Sequence, residues 1–342
     1  AACAPAAAMP RGLLLALCAL ARLAGGGADD APRRLAVVGY LPEYRFRTVH
    51  WPHVIASTTH LVLFSIEPAA NGELTRLERL QGILQPGSEF RRALDAAGGL
   101  APKVLVSIGG AGRSVHFAAA AGEGKARRRL ASQVAKLAKK YPCVSGVDLD
   151  WEAPEGESQW RDLGKLAKDV RGALVEQGVE GGGPPLVSMT YHPRSGAVSA
   201  FAGIRGKKTD TRFVELFDFC NAMAYSQFDD QRRHSTAAMD RAAIEEWVAH
   251  GLAPERLALG VPFFGVTRST GEAKTYAQIL DAEPSLAERL GVDESKGGDY
   301  FANARSLVDK VELARQRGLA GVMIWEVGQD SFGGANLLQH VW

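Results

Sequence analysis

The chain has 342 residues, 46% hydrophobic and 23% charged, which is enough for a sizeable core in one large or two medium domains. Its 40 basic and 38 acidic residues leave a formal charge of +2. So balanced a charge gives no support for a nucleic-acid partner, which needs a concentrated basic surface.

The chain opens on a leader. In MPRGLLLALCALARLAGGGADD (9–30) an Arg precedes a short apolar run and then small residues, the order of a secretory signal peptide. The run is too short to span a bilayer as a helix. Residues 1–28 are therefore set apart, with Met9 as the start, and the mature protein is expected to be secreted or lumenal in the secretory or lysosomal route, without a membrane span. Cys3 and Cys18 leave with the leader. Cys143 and Cys220 remain, beside or within apolar runs, and read as buried hydrophobes, not as a disulfide framework. No Asn is followed by x-Ser or x-Thr, so no N-glycosylation site is offered.

From residue 33 onward, short apolar runs alternate with amphipathic helices. The runs are LAVVGY (35–40), HLVLFSI (60–66), KVLVSI (103–108), VSGVDLDW (144–151), PLVSMTY (185–191), FDFCNAMAY (217–225), LALGVPFF (257–264) and GVMIWE (321–326). Between them, LASQVAKLAKKY (130–141) places Leu130, Val134 and Leu137 on one face. WRDLGKLAKDVRGALVEQG (160–178) does the same with Leu163, Leu166, Val170 and Leu174. AAIEEWVAHG (242–251) and SLVDKVELARQRG (306–318) each end on a Gly cap. The basic run KARRRL (125–130) reads as the solvated face of a helix. Eight buried strands with intervening helices over roughly 300 residues predict a single (β/α)8 barrel across 33–342. A doubly wound sheet would carry a phosphate-binding Gly loop after its first strand, and VVGYLPEY has none. The Gly-rich stretch SIGGAGRS (107–114) lacks the Lys-Ser/Thr of a P-loop and the third Gly of a dinucleotide fingerprint. No cofactor is expected.

The segment SGVDLDWEAP (145–154) carries acids at two-residue spacing, Asp148, Asp150 and Glu152. Side chains of a strand alternate between faces, so all three point one way. In a barrel that way is inward, with Glu152 uppermost near the C-terminal mouth, where this fold places its active sites. Crowded acids in a poorly solvated pore should keep at least one proton near neutral pH. A protonated acid beside an ionised one suits glycoside hydrolysis. Two other readings compete. A metal site would usually add His, and His192 alone is placed to face the mouth. A structural ion-pair network needs inward cations, and Lys103 lies at the wrong end of its strand. No metal is expected.

SGVDLDWEAP resembles the D-x-x-D-x-D-x-E signature of glycoside hydrolase family 18, the chitinase family. KVLVSIGG (103–110) resembles that family's S-x-G-G motif and NAMAYS (221–226) its M-x-Y-D segment. VVGYLPEY, LALGVPFFG (257–265) and GLAGVMIWEVGQD (318–330) resemble its first, seventh and eighth strands. The resemblance covers about 35–330. It implies that Glu152 is the general acid, and that Asp150 orients the substrate's N-acetyl group and stabilises an oxazolinium ion. It further implies that Asp148 shares a proton with Asp150 and that Tyr225 hydrogen-bonds the acetamido oxygen. Trp325 would floor the sugar site, with Met223 and Tyr40 in its walls. A retaining, substrate-assisted enzyme acting on polymers or oligomers of N-acetylglucosamine, whether chitin, N-glycan core or peptidoglycan, is the implied function, with a monomer as the implied state. A chitinase-like lectin is the implied alternative. Three positions depart from the pattern. Ser145 stands where the signature has its first Asp, which is expected to tune the Asp pair. Ser226 replaces the Asp after the motif Tyr, and Ala111 a Trp common in chitinases. The roughly 50 residues between the last two strands leave no room for the large inserted α+β domain. TYAQIL and the final helix are expected to fill that span and leave the groove shallow.

Overall fold

The computed structural model describes residues 34–179, 183–193, 196–206 and 211–341. The leader read at 1–28 lies outside the described residues. Eight parallel strands form the core: β1 (Ala36–Pro42), β2 (His60–Pro68), β3 (Lys103–Gly109), β4 (Val144–Asp150), β5 (Leu186–Tyr191), β6 (Cys220–Ala222), β7 (Leu257–Pro262) and β8 (Gly321–Trp325). Each pairs with the next, and β8 returns to β1 through Ala36 opposite Gly321 and Gly39 opposite Ile324, so the sheet closes. The fold is a (β/α)8 barrel.

Alternation sorts the strand residues into two apolar clusters. On β1, Val37 and Leu41 join the large cluster between strands and helices, while Val38 and Tyr40 join a smaller one with Val62, Phe64, Leu105, Met223, Tyr225 and Met323. The second is the barrel interior, filled by side chains as an eight-stranded barrel requires. The helices cover the outside. Gly124–Lys140 buries Leu130, Val134 and Ala138, and Gly156–Glu176 buries Leu163, Leu166, Val170 and Leu174. The first of these starts earlier than its apolar face predicts, because Glu123 caps it by accepting from Lys125 N and Ala126 N. Ala237–Ala249 and Ala304–Gln316 are followed by Gly251 and Gly318 at φ +67° and +65°, the left-handed conformation that ends a helix. Among the described residues no helix is long and apolar enough to cross a membrane.

Two local features differ from the expectation. The span between β7 and β8 is not helix alone. It also holds a small antiparallel sheet of Phe264–Thr267, Ala273–Thr275 and Asp299–Phe301. The cause is a tight turn: Gly271 N–H donates to Thr267 O at 2.8 Å with φ +77°, folding Ala273–Thr275 back on the strand that prolongs β7. Asp299 ties the third strand down, accepting from Ser295 Oγ at 2.8 Å and pairing with Lys274 at 2.9 Å. The second feature lies in β4. Its register against β3 runs Val104–Val144 and then Leu105–Gly146, so the ladder skips Ser145.

Candidate active site

The three acids rise along one face of β4. Asp148 and Asp150 are 0% and 2% exposed, and Glu152 stands just past the strand, half-buried. On the other face Val147 and Leu149 meet the helices, and Trp151 stacks on Phe117 with ring centroids 5.3 Å apart.

Asp148 is the hub of a polar layer. Oδ1 accepts from Ser188 Oγ at 2.6 Å and Asn221 Nδ2 at 3.4 Å. Oδ2 accepts from Tyr40 OH at 2.9 Å, Thr190 Oγ1 at 3.2 Å and Ser107 Oγ at 3.3 Å. Register explains the convergence, since Ser107 and Ser188 are the ladder partners of Asp148 on β3 and β5. Burial raises the proton affinity of Asp148, and the hydroxyls of Ser188, Tyr40, Thr190 and Ser107 pull it back down. Tyr40 is held as a neutral phenol, first by burial and then by the negative charges of Asp148 and Asp150. Its hydroxyl clamps Asp148, while its ring meets Trp325 at 5.9 Å and Phe64 at 6.5 Å.

Asp150 has the opposite surroundings. Its buried Oδ1 has no hydrogen-bond partner among the described residues. Burial, then Glu152, then Asp148 push its pKa well above the ordinary carboxylate value. Of the two aspartates, Asp150 keeps its proton to the higher pH. Donors from β1, β3, β5 and β6 set this difference. Ser145, the position the sequence singled out, lies buried near the start of β4.

The loop after β3 braces the upper end of β4. Gly110 N–H and Ser114 Oγ both donate to Asp150 O, at 2.6 and 3.1 Å, and Glu152 N–H donates to Ser114 Oγ at 3.1 Å. Close approach requires the paired glycines. A Cβ at Gly109 would come within 2.3 Å of Asp150 O, and one at Gly110 within 2.2 Å of the Phe64 ring. Ala111 is exposed on the same loop, and Arg113 lies over Phe64 at 5.0 Å while pairing with Glu43 at 2.8 Å.

Aromatic and sulfur side chains line the space above. Phe64 meets Trp325 edge-on at 4.8 Å, and Tyr225 meets Phe264 at 6.0 Å. The Tyr225 hydroxyl lies 3.7 Å from Met323 Sδ and is kept protonated by burial and by Asp150 and Glu152. Met223 is buried beneath a cavity of about 370 Å³ that Glu152, Trp160 and His192 also line. A larger cavity of about 800 Å³, near Asp240 and Lys310, lies away from the acids. The structure thus brings Glu152, Asp150, Asp148, Tyr225, Met223, Trp325 and Tyr40 to one barrel mouth. Ser226 is exposed at φ +55°. Sequence reasoning missed Ser107, Ser188, Thr190, Asn221 and Ser114. The signal available for four of them was a polar residue on the inward phase of an apolar strand. It assigned His192 no part, yet His192 Nε2 lies 3.4 Å from Glu152 Oε2. Among the described residues no group of three His, Cys, Asp or Glu could hold a metal.

Comparison with known proteins agrees with this geometry. A class V chitinase from Arabidopsis thaliana is 25% identical, over 68% of this chain and 70% of its own. One from Medicago truncatula is 24% identical over 80% of each. Among solved structures, a class V chitinase from Nicotiana tobaccum in complex with NAG4 superposes with a TM-score of 0.71 at 18% identity, covering 90% of this chain and 98% of that one. A chitinase from Cycas revoluta in complex with (GlcNAc)3 gives 0.69 at 22% identity, with 90% and 98% covered. The model for glycosyl hydrolases family 18 matches residues 36–330, from the first barrel strand to just past the last, and the chain belongs to that family.

Proposed function

We propose that the protein is a retaining endo-type β-N-acetylglucosaminidase, cleaving chitin-like oligomers or polymers by substrate-assisted catalysis. The observation that carries this reading is the division of labour on β4: an anchored Asp148, a proton-holding Asp150 and an accessible Glu152. The names of the relatives and the GlcNAc oligomers in the neighbouring structures support the substrate class.

In this reading the acetamido oxygen of the bound sugar attacks its own anomeric carbon as the glycosidic bond breaks. Glu152 gives its proton to the departing oxygen. Positive charge then spreads over the oxazolinium ring. The proton on Asp150 shifts to Asp148, so a carboxylate faces that charge. Asp148 can take it because hydroxyls that donated to its oxygens can turn to accept. The Tyr225 hydroxyl donates to the acetamido oxygen and aligns it. Trp325 gives the distorted sugar an apolar floor. Glu152, now a carboxylate, takes a proton from water as the water attacks the anomeric carbon. The ring opens, the acetamide is restored and configuration is retained.

The test is Glu152→Gln, which keeps shape and removes the acid. Hydrolysis of an N-acetylchitooligosaccharide should fall by roughly 10²–10⁴-fold with sugar binding retained. Full turnover in the variant would remove Glu152 from its role. Binding without turnover by the wild-type protein across acidic to neutral pH would favour a lectin.

A further inference from the structure

We propose that His192 is a positioning residue for Glu152, holding its carboxyl and carrying the compensating positive charge when Glu152 has lost its proton. The inference rests on Glu152 being the acid of the proposed reaction.

Placement comes first. Tyr191, the last residue of β5, turns outward and stacks on Trp247 at 5.9 Å. Alternation then turns His192 to the mouth. Its Nε2 lies 3.4 Å from Glu152 Oε2, and the two side chains are 18% and 19% exposed. The other ring nitrogen, Nδ1, is buried with no partner among the described residues. The polar contact of the ring is thus directed at Glu152. The loop that carries His192 is tied to β6, because Gln227 Nε2 donates to Pro193 O at 3.1 Å.

Electrostatics gives the contact a purpose. Among the described residues, Glu152 acts by its charge on Asp150 below it and on Tyr225 just past β6. From the loop after β3 comes a neutral hydroxyl, Ser114, while the neighbouring Arg113 is engaged by Glu43. Glu152 must hold a proton in the first half of the reaction and none in the second. Once it is a carboxylate, it stands over two further acids. An imidazolium against its outer oxygen offsets that charge and fixes the oxygen for water. Imidazole is the side chain that gains and loses charge between pH 5 and 8, so a carboxylate beside it has a partner able to take up a proton.

Two measurements test this. The imidazole NMR signal of His192, assigned by its loss in His192→Asn, is followed from acid to alkaline pH in wild type and Glu152→Gln. Its midpoint should fall by about half a pH unit or more in Glu152→Gln, where the partner charge is gone. A smaller change overturns the inference. In parallel, kcat and KM of wild type and His192→Asn are measured against pH on a GlcNAc oligomer. We expect kcat to fall roughly tenfold with an altered pH profile, and KM to change by less than about threefold. An unchanged kcat profile overturns the role even where the titrations are coupled. If wild type turns over no GlcNAc oligomer, the proposed function fails, and the NMR titration alone decides whether His192 and Glu152 form a unit.

Discussion

At the scale of single residues, the site sets proton affinity through the number of donors each acid receives. Asp148 and Asp150 are two residues apart and equally buried, yet one is ringed by hydroxyls and an amide while the other has an orphaned oxygen. A buried acid that stays protonated when its unfolded counterpart ionises makes the fold less stable. For Asp150, whose folded pKa is raised, stability is fully present below the unfolded value near 3.9 and is lost as pH rises toward the folded value. Asp150→Asn removes that loss. Relative to wild type, the variant should gain about 1–3 kcal/mol between pH 4 and pH 7, while its turnover collapses. Thermal unfolding at the two pH values reads this as a difference of differences. The same offset at both would show that Asp150 titrates as an ordinary carboxylate.

At the scale of elements, the loop after β3 shows what a motif means physically. Its glycines let the loop backbone reach Asp150 O. Gly109 and Gly112 form a matched pair for testing it. Both have positive φ, +98° and +71°, but a Cβ at Gly109 meets Asp150 O and Phe117, whereas one at Gly112 meets nothing within 4 Å. Gly112→Ala should therefore cost only the backbone term of about 1 kcal/mol, and Gly109→Ala about 2 kcal/mol or more beyond that, with a lower kcat because the end of β4 is displaced. Equal losses in the two variants would mean the brace does not matter. The same element separates what the sequence could tell from what it could not. Period-two alternation on β4 was enough to put Asp148, Asp150 and Glu152 on one inward face. Helix stripes were enough for the outer layer, because each pattern is local. The donors to Asp148 come from four other strands, and which of them stand level with it depends on register. A bulge at Ser145 changes that register without a clear mark in the chain. The hairpin between β7 and β8 was missed because TRSTGEAKT carries only a short turn signal beside a stronger helical one.

At the scale of the whole molecule, the barrel closes where β8 meets β1; one buried carboxyl latches that seam and a second fastens the segment that follows. Glu326, just past β8, pairs with Arg45 beyond β1 at 2.9 Å and accepts from Gly328 N–H at 2.8 Å. Asp330 accepts from Ser331, Leu337 and Leu338 N–H at 2.8–2.9 Å, fastening the C-terminal segment. The seam pair is not legible in the chain, since Arg45 and Glu326 are 281 residues apart. Burial raises both acids to about 7, against the opposing pull of Arg45 on Glu326 and of the backbone donors on Asp330. The sign follows from linkage. Each group binds its proton more tightly in the fold than in the unfolded chain, so its contribution is complete below about pH 4 and lost as pH rises to about 7. Glu326→Gln keeps an acceptor for Gly328 and leaves Arg45 partly open to water, while removing the titration. The variant should match wild type near pH 4 and exceed it by about 1–3 kcal/mol at pH 8 in denaturant unfolding. An offset that does not change between those pH values would mean that Glu326 ionises in the fold as it does in the unfolded chain and that the seam is held by an ordinary ion pair.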